Sequence, residues 1–348
     1  MAFFWPHSVR LIARRIHQTP MDSFSSYLFR SAYKKIHKLG DRLARIEPLI
    51  DWEAFRPIIA GLYDNKTEKG GRPNVDEVVM VKMLVLQEWY GLSDPELERQ
   101  ANDRISFRRF LGFPGEIPDA TTVWLFRERL AETGKDRELW AELQRQLDEK
   151  GFKVRKGVVQ DASFITADPG KSSKPRGDEA KTRRSRDGTW AKKGSRSSFG
   201  YKLHAKTDVD RGLIRDLEMT TASVHDSRVD LTRPGEVAYL DKAYFGVEIQ
   251  GYSAAMRRGV RGHPLGIRDR LRNRRINRKR APGERPFAVL KRVFNAGHML
   301  VTTVERVRVK MVFACLCFNL VQLNTLGGGK QRGLSISSGT RRETGLKA

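Results

Sequence analysis

The chain has 348 residues, of which 39% are hydrophobic and 31% charged, so it can bury one large core or two smaller ones beneath a heavily charged surface. Its formal net charge of +25 predicts a polyanionic partner, and nucleic acid is favoured over an anionic membrane surface. The longest apolar run, Met311 to Phe318, is too short to span a bilayer, and the two cysteines inside it offer neither a zinc site nor a disulfide framework.

Residues 1–45 are expected to form an N-terminal extension with some disorder. Residues 1–20 contain no acidic residue, and their arginines interrupt the apolar stretch instead of preceding it, which is unlike a secretory signal. A transit-like segment and a true start at Met21 remain the alternatives.

Residues 46–150 are predicted to form an all-helical region. Asn74 to Tyr90 is rich in large apolar residues and is predicted to be a helix that ends at Gly91. Ser93 and Glu96 have the spacing of a capping box, which predicts the start of the next helix.

A further helix is predicted to begin at Pro118-Asp119, with Arg127 and Arg129 on its surface, and a charged helix is predicted over Asp136 to Lys150. Short helices joined by tight turns, followed by a helix with projecting arginines, are typical of a helix-turn-helix DNA-binding domain. The periodicity alone fits a plain helical bundle equally well.

The periodicity changes at Gly157, and residues 151–326 are predicted to form a mixed α/β domain. Val158 to Ile165 is predicted to be a strand with Asp161 inside it, because β-branched and aromatic residues are enriched there. Residues 170–198 are rich in Lys, Arg, Ser and Gly and are predicted to be a basic arm, either a loop or a disordered segment that can lie along phosphates.

From Tyr201 to Thr207, the basic residues Lys202, His204 and Lys206 alternate with less polar ones. This period of two predicts a strand, which is expected to form a hairpin with Leu213 to Thr220. Glu236 to Asp241 is predicted to be a further strand, with Asp241 at its carboxyl end. Residues 327–348 begin with a run of glycines and are predicted to be a flexible polar tail.

A single carboxylate, Glu284, lies in strongly basic surroundings. From Arg268 to Arg292 there are eleven Lys or Arg residues and two acids. Pro282-Gly283 breaks the chain, and the apolar residues after it predict a short amphipathic helix that begins near Glu284. Lys291 would then lie two turns further along, on the same face of that helix.

Three carboxylates, Asp161, Asp241 and Glu284, lie on two predicted strands and one predicted helix. Such a set suits phosphodiester cleavage, because carboxylate oxygens hold Mg²⁺ or Mn²⁺ and two such ions activate the nucleophile and stabilise the leaving oxygen. On the residues alone each assignment is weak. The acids that compete with them are Asp168, Asp216, Asp226, Asp230 and Asp269.

Short motifs in both halves of the chain carry a resemblance to one family. In the helical region they are Gly71-Arg-Pro73, Leu86 to Ser93, Asp103 to Leu111 and Pro118 to Thr122. In the second region they are Asp161-Ala-Ser163, Gly200 to His204, Val224 to Ser227 and Leu240 to Gly246. With these motifs the chain resembles the bacterial insertion-sequence transposases of the DDE type, specifically the insertion-sequence-five group, over about residues 46–326.

The third acidic motif of that family runs Tyr, two residues, Arg, three residues, Glu, six residues, Lys. Arg280, Glu284 and Lys291 match this spacing, whereas Asn277 stands at the Tyr position. The resemblance implies an RNase H-like mixed sheet as the catalytic domain, preceded by the all-helical DNA-binding region. It also implies that Asp161, Asp241 and Glu284 are catalytic and hold two Mg²⁺ ions, for which Mn²⁺ can substitute, while Arg280 and Lys291 bind DNA.

The activity implied by the resemblance is cleavage at the ends of an insertion sequence and joining of the freed 3′-hydroxyl to target DNA. Its implied partners are terminal inverted-repeat DNA, target DNA and a second copy of the chain in a dimer, with no membrane partner and a cytoplasmic, bacterial location. Two alternatives stay open: a non-catalytic DNA-binding remnant or regulator of transposition, and a metal-dependent nuclease without strand transfer.

Overall fold

The computed structural model describes residues 24–62, 74–170 and 185–334. Its helices are α1 (Phe24–Leu39), α2 (Arg42–Ile46), α3 (Arg56–Ala60), α4 (Glu77–Tyr90), α5 (Asp94–Asp103), α6 (Ile105–Leu111), α7 (Ala120–Thr133), α8 (Lys135–Glu149), α9 (Ile267–Arg280), α10 (Glu284–Arg292) and α11 (Val304–Leu334). Its strands are β1 (Val158–Ala167), β2 (Thr189–Lys193), β3 (Arg196–Asp208), β4 (Ile214–Thr221), β5 (Val237–Leu240), β6 (Tyr252–Ala255) and β7 (His298–Met299).

The predicted helical region is confirmed, and its helices begin and end where the local chemistry favours it. The Asp76 carboxylate caps α4 by accepting hydrogen bonds from two N–H groups of the first turn, and Gly91 ends α4 with a left-handed φ of 64°. The Ser93 side chain accepts a hydrogen bond from the Glu96 N–H at 3.4 Å, as predicted. The Glu96 carboxylate pairs with Arg99 instead of returning to Ser93, so only one half of the capping box forms.

Part of the expected N-terminal extension belongs to the fold. Helices α1 and α2 cover most of residues 24–46, and the Tyr33 hydroxyl donates a hydrogen bond of 2.8 Å to the Asp41 carboxylate. Leu43 is buried in the core. The disorder expected for this segment therefore does not extend to residues 24–45, and residues 1–23 lie outside the described ranges.

The second half of the chain forms one mixed sheet, which confirms the predicted mixed α/β class. The strand order is β2-β3-β1-β5-β6; in addition, β4 pairs with β3 and β7 pairs with β1. Strand β3 runs antiparallel to β1, β2 and β4, so the predicted hairpin is the β3–β4 pair. Strand β5 runs parallel to β1, and β6 runs parallel to β5.

The basic arm predicted over residues 170–198 is only partly a loop. Residues 189–193 form β2, which pairs with the first residues of β3 in a hairpin. Trp190 packs edge-on against Phe199 across this pair, with ring centroids 5.5 Å apart. The aromatic pair stabilises a strand within a segment of loop-like composition. Residues 171–184 of the arm lie outside the described ranges.

Helix α11 is the element on which both halves of the chain pack. It contacts α4, α7 and α8 of the helical region and β4 of the sheet. Met83 of α4, Leu203 of β3 and Phe313 of α11 belong to one continuous hydrophobic cluster. The boundary predicted between residues 150 and 151 is therefore not a gap in the core, because one helix supplies apolar surface to both sides of it.

The length of α11 also changes the prediction for the end of the chain. The helix continues through residues 327–334, which were predicted to begin a flexible tail. Its segment Val304–Gly327 is long and apolar enough to cross a membrane by length and composition, yet 72% of the most apolar window is buried inside the structure. A core helix has this same signature, and α11 occupies that position between the helical region and the sheet.

A buried ion pair joins α8 to α11, and its removal provides a test of this packing. The Arg308 guanidinium donates hydrogen bonds of 2.8 and 3.1 Å to the fully buried Asp136 carboxylate. We expect Asp136→Asn to lower the free energy of unfolding by roughly 3–5 kcal/mol, because it leaves a buried guanidinium without a counter-charge. The measurement is urea unfolding followed by circular dichroism.

The neighbouring residue supplies the control for this experiment. Arg137 pairs with Glu218 at 3.5 Å, but its side chain is 61% exposed. We expect Arg137→Ala to cost less than about 1 kcal/mol, because exposed ion pairs contribute little. Equal losses in the two variants would show that the α8–α11 contact does not depend on the buried pair.

Candidate active site

Two of the predicted acids lie in or directly after adjacent strands. Asp161 is in the middle of β1, and Asp241 directly follows the last residue of β5. In the parallel β1–β5 pair Val159 is opposite Tyr239, so the same register brings residue 241 alongside residue 161. Because neighbouring strands lie about 4.8 Å apart, the two carboxylates lie side by side on the sheet.

The Arg280 guanidinium lies between these two carboxylates. Its Nη2 donates a hydrogen bond of 3.1 Å to Asp161 Oδ2, and its Nη1 lies 3.5 Å from Asp241 Oδ1. The Arg280 side chain is only 12% exposed. Its Nε is buried and has no hydrogen-bond partner among the residues that the structure describes. Arg280 is the last residue of α9, so this contact also fixes the end of that helix at the sheet.

The environment of Asp161 opposes its charge. Burial is the largest influence and raises the pKa of this carboxyl above its ordinary value, although Arg280 and the Ala162 N–H act to lower it. The charges of Asp241 and Asp226 add to the rise. An additional cation nearby would stabilise the ionised form of the Asp161 carboxyl and lower its pKa.

The third predicted acid, Glu284, begins α10, as the sequence predicted. The preceding Gly283 lies against β1: a Cβ at that position would be 2.6 Å from Val159 Cγ1, so a larger residue would push α10 away from the strand. Glu284 itself is exposed. Its carboxylate forms no hydrogen bond or ion pair with any residue in the described ranges, so it stands close to the site in sequence and fold but is not joined to the acid pair.

The predicted DNA-contacting residues differ in their surroundings. Arg280 is committed to the acid pair. Lys291 is exposed on α10, and partial desolvation lowers the pKa of its ammonium group. The structure therefore brings together Asp161, Asp241 and Arg280, and leaves Glu284 and Lys291 on the exposed side of α10.

The acid pair fits a divalent cation only in part. Carboxylate oxygens are the ligands that Mg²⁺ and Mn²⁺ prefer, and Asp161 and Asp241 already share one positive group, the Arg280 guanidinium. Among residues 24–62, 74–170 and 185–334, however, no group of three or more His, Cys, Asp or Glu side chains is arranged to hold a metal. The Glu284 carboxylate has to approach before all three acids can share an ion.

A fourth acid, Asp226, borders this site. Its carboxylate accepts a hydrogen bond of 2.8 Å from Lys202 Nζ, which also donates to the Val224 carbonyl at 2.7 Å. The charge of Asp226 reaches Asp161 and contributes to its raised pKa. The sequence placed Asp226 among the competing acids and inside a motif, but only the fold reveals that it is near the acid pair.

His204 lies on β3 beside the same cluster and is completely buried. Its Nε2 is 2.9 Å from the Thr220 hydroxyl, whereas its Nδ1 is buried without a partner in the described part of the chain. Burial lowers the pKa of His204 to about 4, with a smaller opposing influence from Asp226 and a reinforcing one from Lys202. The imidazole is therefore neutral at physiological pH.

The arginines predicted to project from α7 are not equally available. Arg127 donates two hydrogen bonds of 2.8 Å to the Asp94 carboxylate and one of 2.9 Å to Gln87, and its side chain is 14% exposed. The expectation that Arg127 projects into solvent is wrong, because it instead joins α7 to α4 and α5. Arg129 also has a partner within the fold.

Comparison with known protein families gives two matches. A family model described as a transposase domain of the DUF772 type matches residues 30–129, and a model described as a transposase DDE domain matches residues 153–320. Together the two matched ranges cover most of the chain, including α2 to α6 and strands β1 to β7. No solved structure matches the chain.

The buried His204 predicts a pH dependence of stability. Its folded pKa of about 4 lies below the ordinary value of 6.5, so on acidification the unfolded chain takes up a proton before the folded chain does. We expect the free energy of unfolding to fall between pH 6.5 and pH 4. His204→Gln should remove a part of this loss on the order of 2–3 kcal/mol.

Urea unfolding at several pH values between 7 and 4 measures this effect. His225, which is exposed in the turn before Asp226, provides the matched control, and His225→Gln should leave the pH dependence unchanged. A pH dependence that survives His204→Gln in full would mean that folding does not lower the pKa of His204.

Proposed function

The chain belongs to the DDE transposase family, and from that premise we propose that it is an active DNA transposase of the insertion-sequence-five group with an RNase H-like catalytic domain. In the proposed reaction, water cleaves a phosphodiester at the end of the mobile element and frees a 3′-hydroxyl. That hydroxyl then attacks a phosphodiester of target DNA, forms a new bond to phosphorus and displaces the target's own 3′-oxygen. No covalent bond to the protein is required.

The observation that carries this proposal is the Asp161–Arg280–Asp241 cluster at the end of a basic helix. Two carboxylates from adjacent strands share one cation there, and α10 begins with Glu284 a few residues later. The mixed sheet, with an antiparallel hairpin and two parallel strands beside it, supports the RNase H-like assignment.

In this proposal Asp161, Asp241 and Glu284 hold two Mg²⁺ ions, for which Mn²⁺ can substitute. When bound, such ions activate the attacking water or hydroxyl and stabilise the leaving oxygen. The chain's own residues must also rearrange: Arg280 releases the two carboxylates and takes a DNA phosphate, and the Glu284 carboxylate turns towards them. Gly283 keeps the start of α10 in contact with β1. Glu284 therefore stays close to the strand that carries Asp161 while its side chain turns. Lys291 contacts terminal DNA from the exposed face of α10.

The proposed partners are the terminal inverted repeats, target DNA and a second copy of the chain, met in the bacterial cytoplasm. Helix α9 supports a DNA path that leads to the acid pair. It contains eight Lys or Arg residues, and most of them are exposed. The acidic residue in α9, Asp269, is already paired with Arg257, so it neutralises none of these cations.

A non-catalytic DNA-binding protein is the second candidate, and one observation favours it. The Arg280 guanidinium occupies the space between the two acids, and Glu284 does not join them. In such a protein the same cluster would be a permanent ion pair. The third candidate, a nuclease without strand transfer, differs from a transposase in the fate of the freed 3′-hydroxyl, which a joining assay detects.

The acids provide the first test. We expect Asp161→Asn, Asp241→Asn and Glu284→Gln each to abolish cleavage of a plasmid that carries the coding sequence with its flanking DNA, because each removes a ligand charge. DNA affinity, measured by gel shift, should stay within about threefold, because phosphate contacts elsewhere supply it. Chelation of divalent ions should stop cleavage by the unaltered protein in the same way.

Asp210→Asn is the matched control, since Asp210 lies in the β3–β4 turn and pairs with Lys156. It should cleave normally. Full cleavage by any one of the three variants would remove that residue from the site, and normal DNA binding without any cleavage by the unaltered protein would favour the non-catalytic candidate.

A second test concerns the DNA path along α9. Arg268, Arg275 and Lys279 are exposed on one side of this helix. Replacing all three with Ala should lower the slope of log affinity against log salt concentration by roughly two to three units, because each phosphate contact contributes about 0.9. The measurement is fluorescence anisotropy of a duplex at several salt concentrations.

The control removes the same charge from cations that already have partners. Arg99, Arg137 and Arg145 are exposed on their helices, and they pair with Glu96, with Glu218 of β4 and with Glu142, respectively. Replacing these three with Ala should leave the salt slope unchanged. An equal drop in both triple variants would mean that DNA responds to net charge and not to the α9 surface.

A further inference from the structure

An open pocket of about 470 Å³ lies beside α9, between this helix and the segments that follow β5 and β6. Its volume is within the range of sites that hold small ligands. Neither the acid pair nor the cations used in the salt test form its lining, so the pocket is a separate feature of the basic surface.

Three cations converge on this pocket: Lys242, Arg270 and Arg274. All three are exposed, and none forms an ion pair with any residue in the described ranges. Nearby, Arg257 and Asp269 do pair, at 2.7 Å, so the local acid is already engaged. Cations that face one concave site without a counter-charge favour an anion, and Arg and Lys donors suit phosphate oxygens.

The wall of the pocket is held in place before any ligand arrives. The Asn273 side chain exchanges two hydrogen bonds of 2.9 Å with the backbone N–H and carbonyl of Arg257. The preceding residue, Arg272, donates a hydrogen bond of 2.7 Å to the Ala255 carbonyl. These contacts fix α9 to the end of β6, so binding would cost little rearrangement.

The rest of the pocket lining contains apolar and amide side chains, which a site for phosphate alone does not need. Met256 and Leu265 supply apolar surface, and the Asn277 side-chain amide has no hydrogen-bond partner in the described part of the chain. An apolar surface can contact the face of a nucleobase, and an asparagine amide can pair with a base edge. A base within a duplex is stacked on both faces, so only an unpaired base can present a face to such a pocket.

The pocket borders the acid pair on two sides. Lys242 directly follows Asp241, and Asn277 precedes Arg280 by three residues of the same helix. A strand with a phosphate at the acid pair therefore has the pocket beside its path.

We propose that this pocket binds one unpaired nucleotide of the DNA strand that leads away from Asp161 and Asp241. Lys242, Arg270 and Arg274 hold its phosphate, Asn277 pairs with the edge of its base, and Met256 and Leu265 contact the base face. The inference rests on the proposed function, since it takes the acid pair as the place where a DNA phosphate is bound.

Binding without divalent ions tests the pocket independently of cleavage. Three duplexes of one core sequence, blunt or carrying a two-nucleotide extension at the 3′ or the 5′ end, are titrated with the full chain in EDTA and followed by fluorescence anisotropy. We expect the unaltered protein to bind one of the extended duplexes roughly tenfold more tightly than the blunt one, because a side chain that pairs well with a base edge contributes about that much.

Adjacent arginines give the matched comparison. Arg274 lines the pocket and Arg275, equally exposed, does not. Arg274→Ala and Asn277→Ala should abolish the preference for the extended duplex, and Leu265→Trp should abolish it by filling the pocket without changing charge. Arg275→Ala should weaken binding of all three duplexes by the same factor and leave the preference intact.

Two results would overturn the assignment of the pocket: equal affinity of the unaltered protein for all three duplexes, or loss of the preference in Arg275→Ala as well as in Arg274→Ala. Neither depends on catalysis. Failure of the proposed function would appear instead as absence of cleavage by the unaltered protein in Mg²⁺, with or without a preference for extended duplexes.

Discussion

Two carboxylates on adjacent strands need a cation between them, and Arg280 supplies it. The parallel register of β1 and β5 brings Asp161 and Asp241 together, and burial of Asp161, with the nearby charge of Asp241, raises the pKa of the Asp161 carboxyl. Because Arg280 ends α9, this contact also fixes the position of α9 and of the short turn that leads into α10. Gly283 completes the arrangement by letting that turn lie against Val159. The catalytic assignment, the DNA path and the pocket all depend on this one junction between sheet and helix.

A second constraint comes from the far end of the chain. The helical region lacks a complete core until α11 packs against α4, α7 and α8, and the sheet receives the same helix at β4. Both halves therefore depend on α11. Movement of the helical region relative to the acid pair would have to disrupt this packing and the buried Asp136–Arg308 pair. In the proposed function, a DNA-binding surface on the helical region would therefore stay at a fixed distance from the acid pair.

The parts of the fold that the sequence predicted are those with a local signal. Strands β1, β3, β4 and β5 follow from β-branched residues and period-two alternation, and α4 and α5 follow from their caps. Helix α9 carries no such signal, since Ile276 is its buried residue and cations fill most of its other positions. Arg127 could not be assigned from periodicity, because its partner Asp94 lies 33 residues earlier in the chain. The bridge between Asp161 and Asp241 depends on Arg280, 119 residues after Asp161, and no local pattern predicts it.

The net charge of +25 divides into two classes that only the structure separates. Arg127, Arg306 and Arg308 belong to the first class: each is engaged by a carboxylate of another element, and each joins helices or joins a helix to its neighbour. Such arginines stabilise the fold. Their guanidinium groups are already paired with carboxylates, so they are poor partners for a phosphate. The second class, exposed on α9 and at its pocket, has no carboxylate partners in the described ranges. Arg280 stands between the classes, because it is paired like the first and lies at the end of the helix that carries the second. In the proposed function a DNA phosphate competes with the two acids for this guanidinium, so binding of that phosphate would free the two carboxylates.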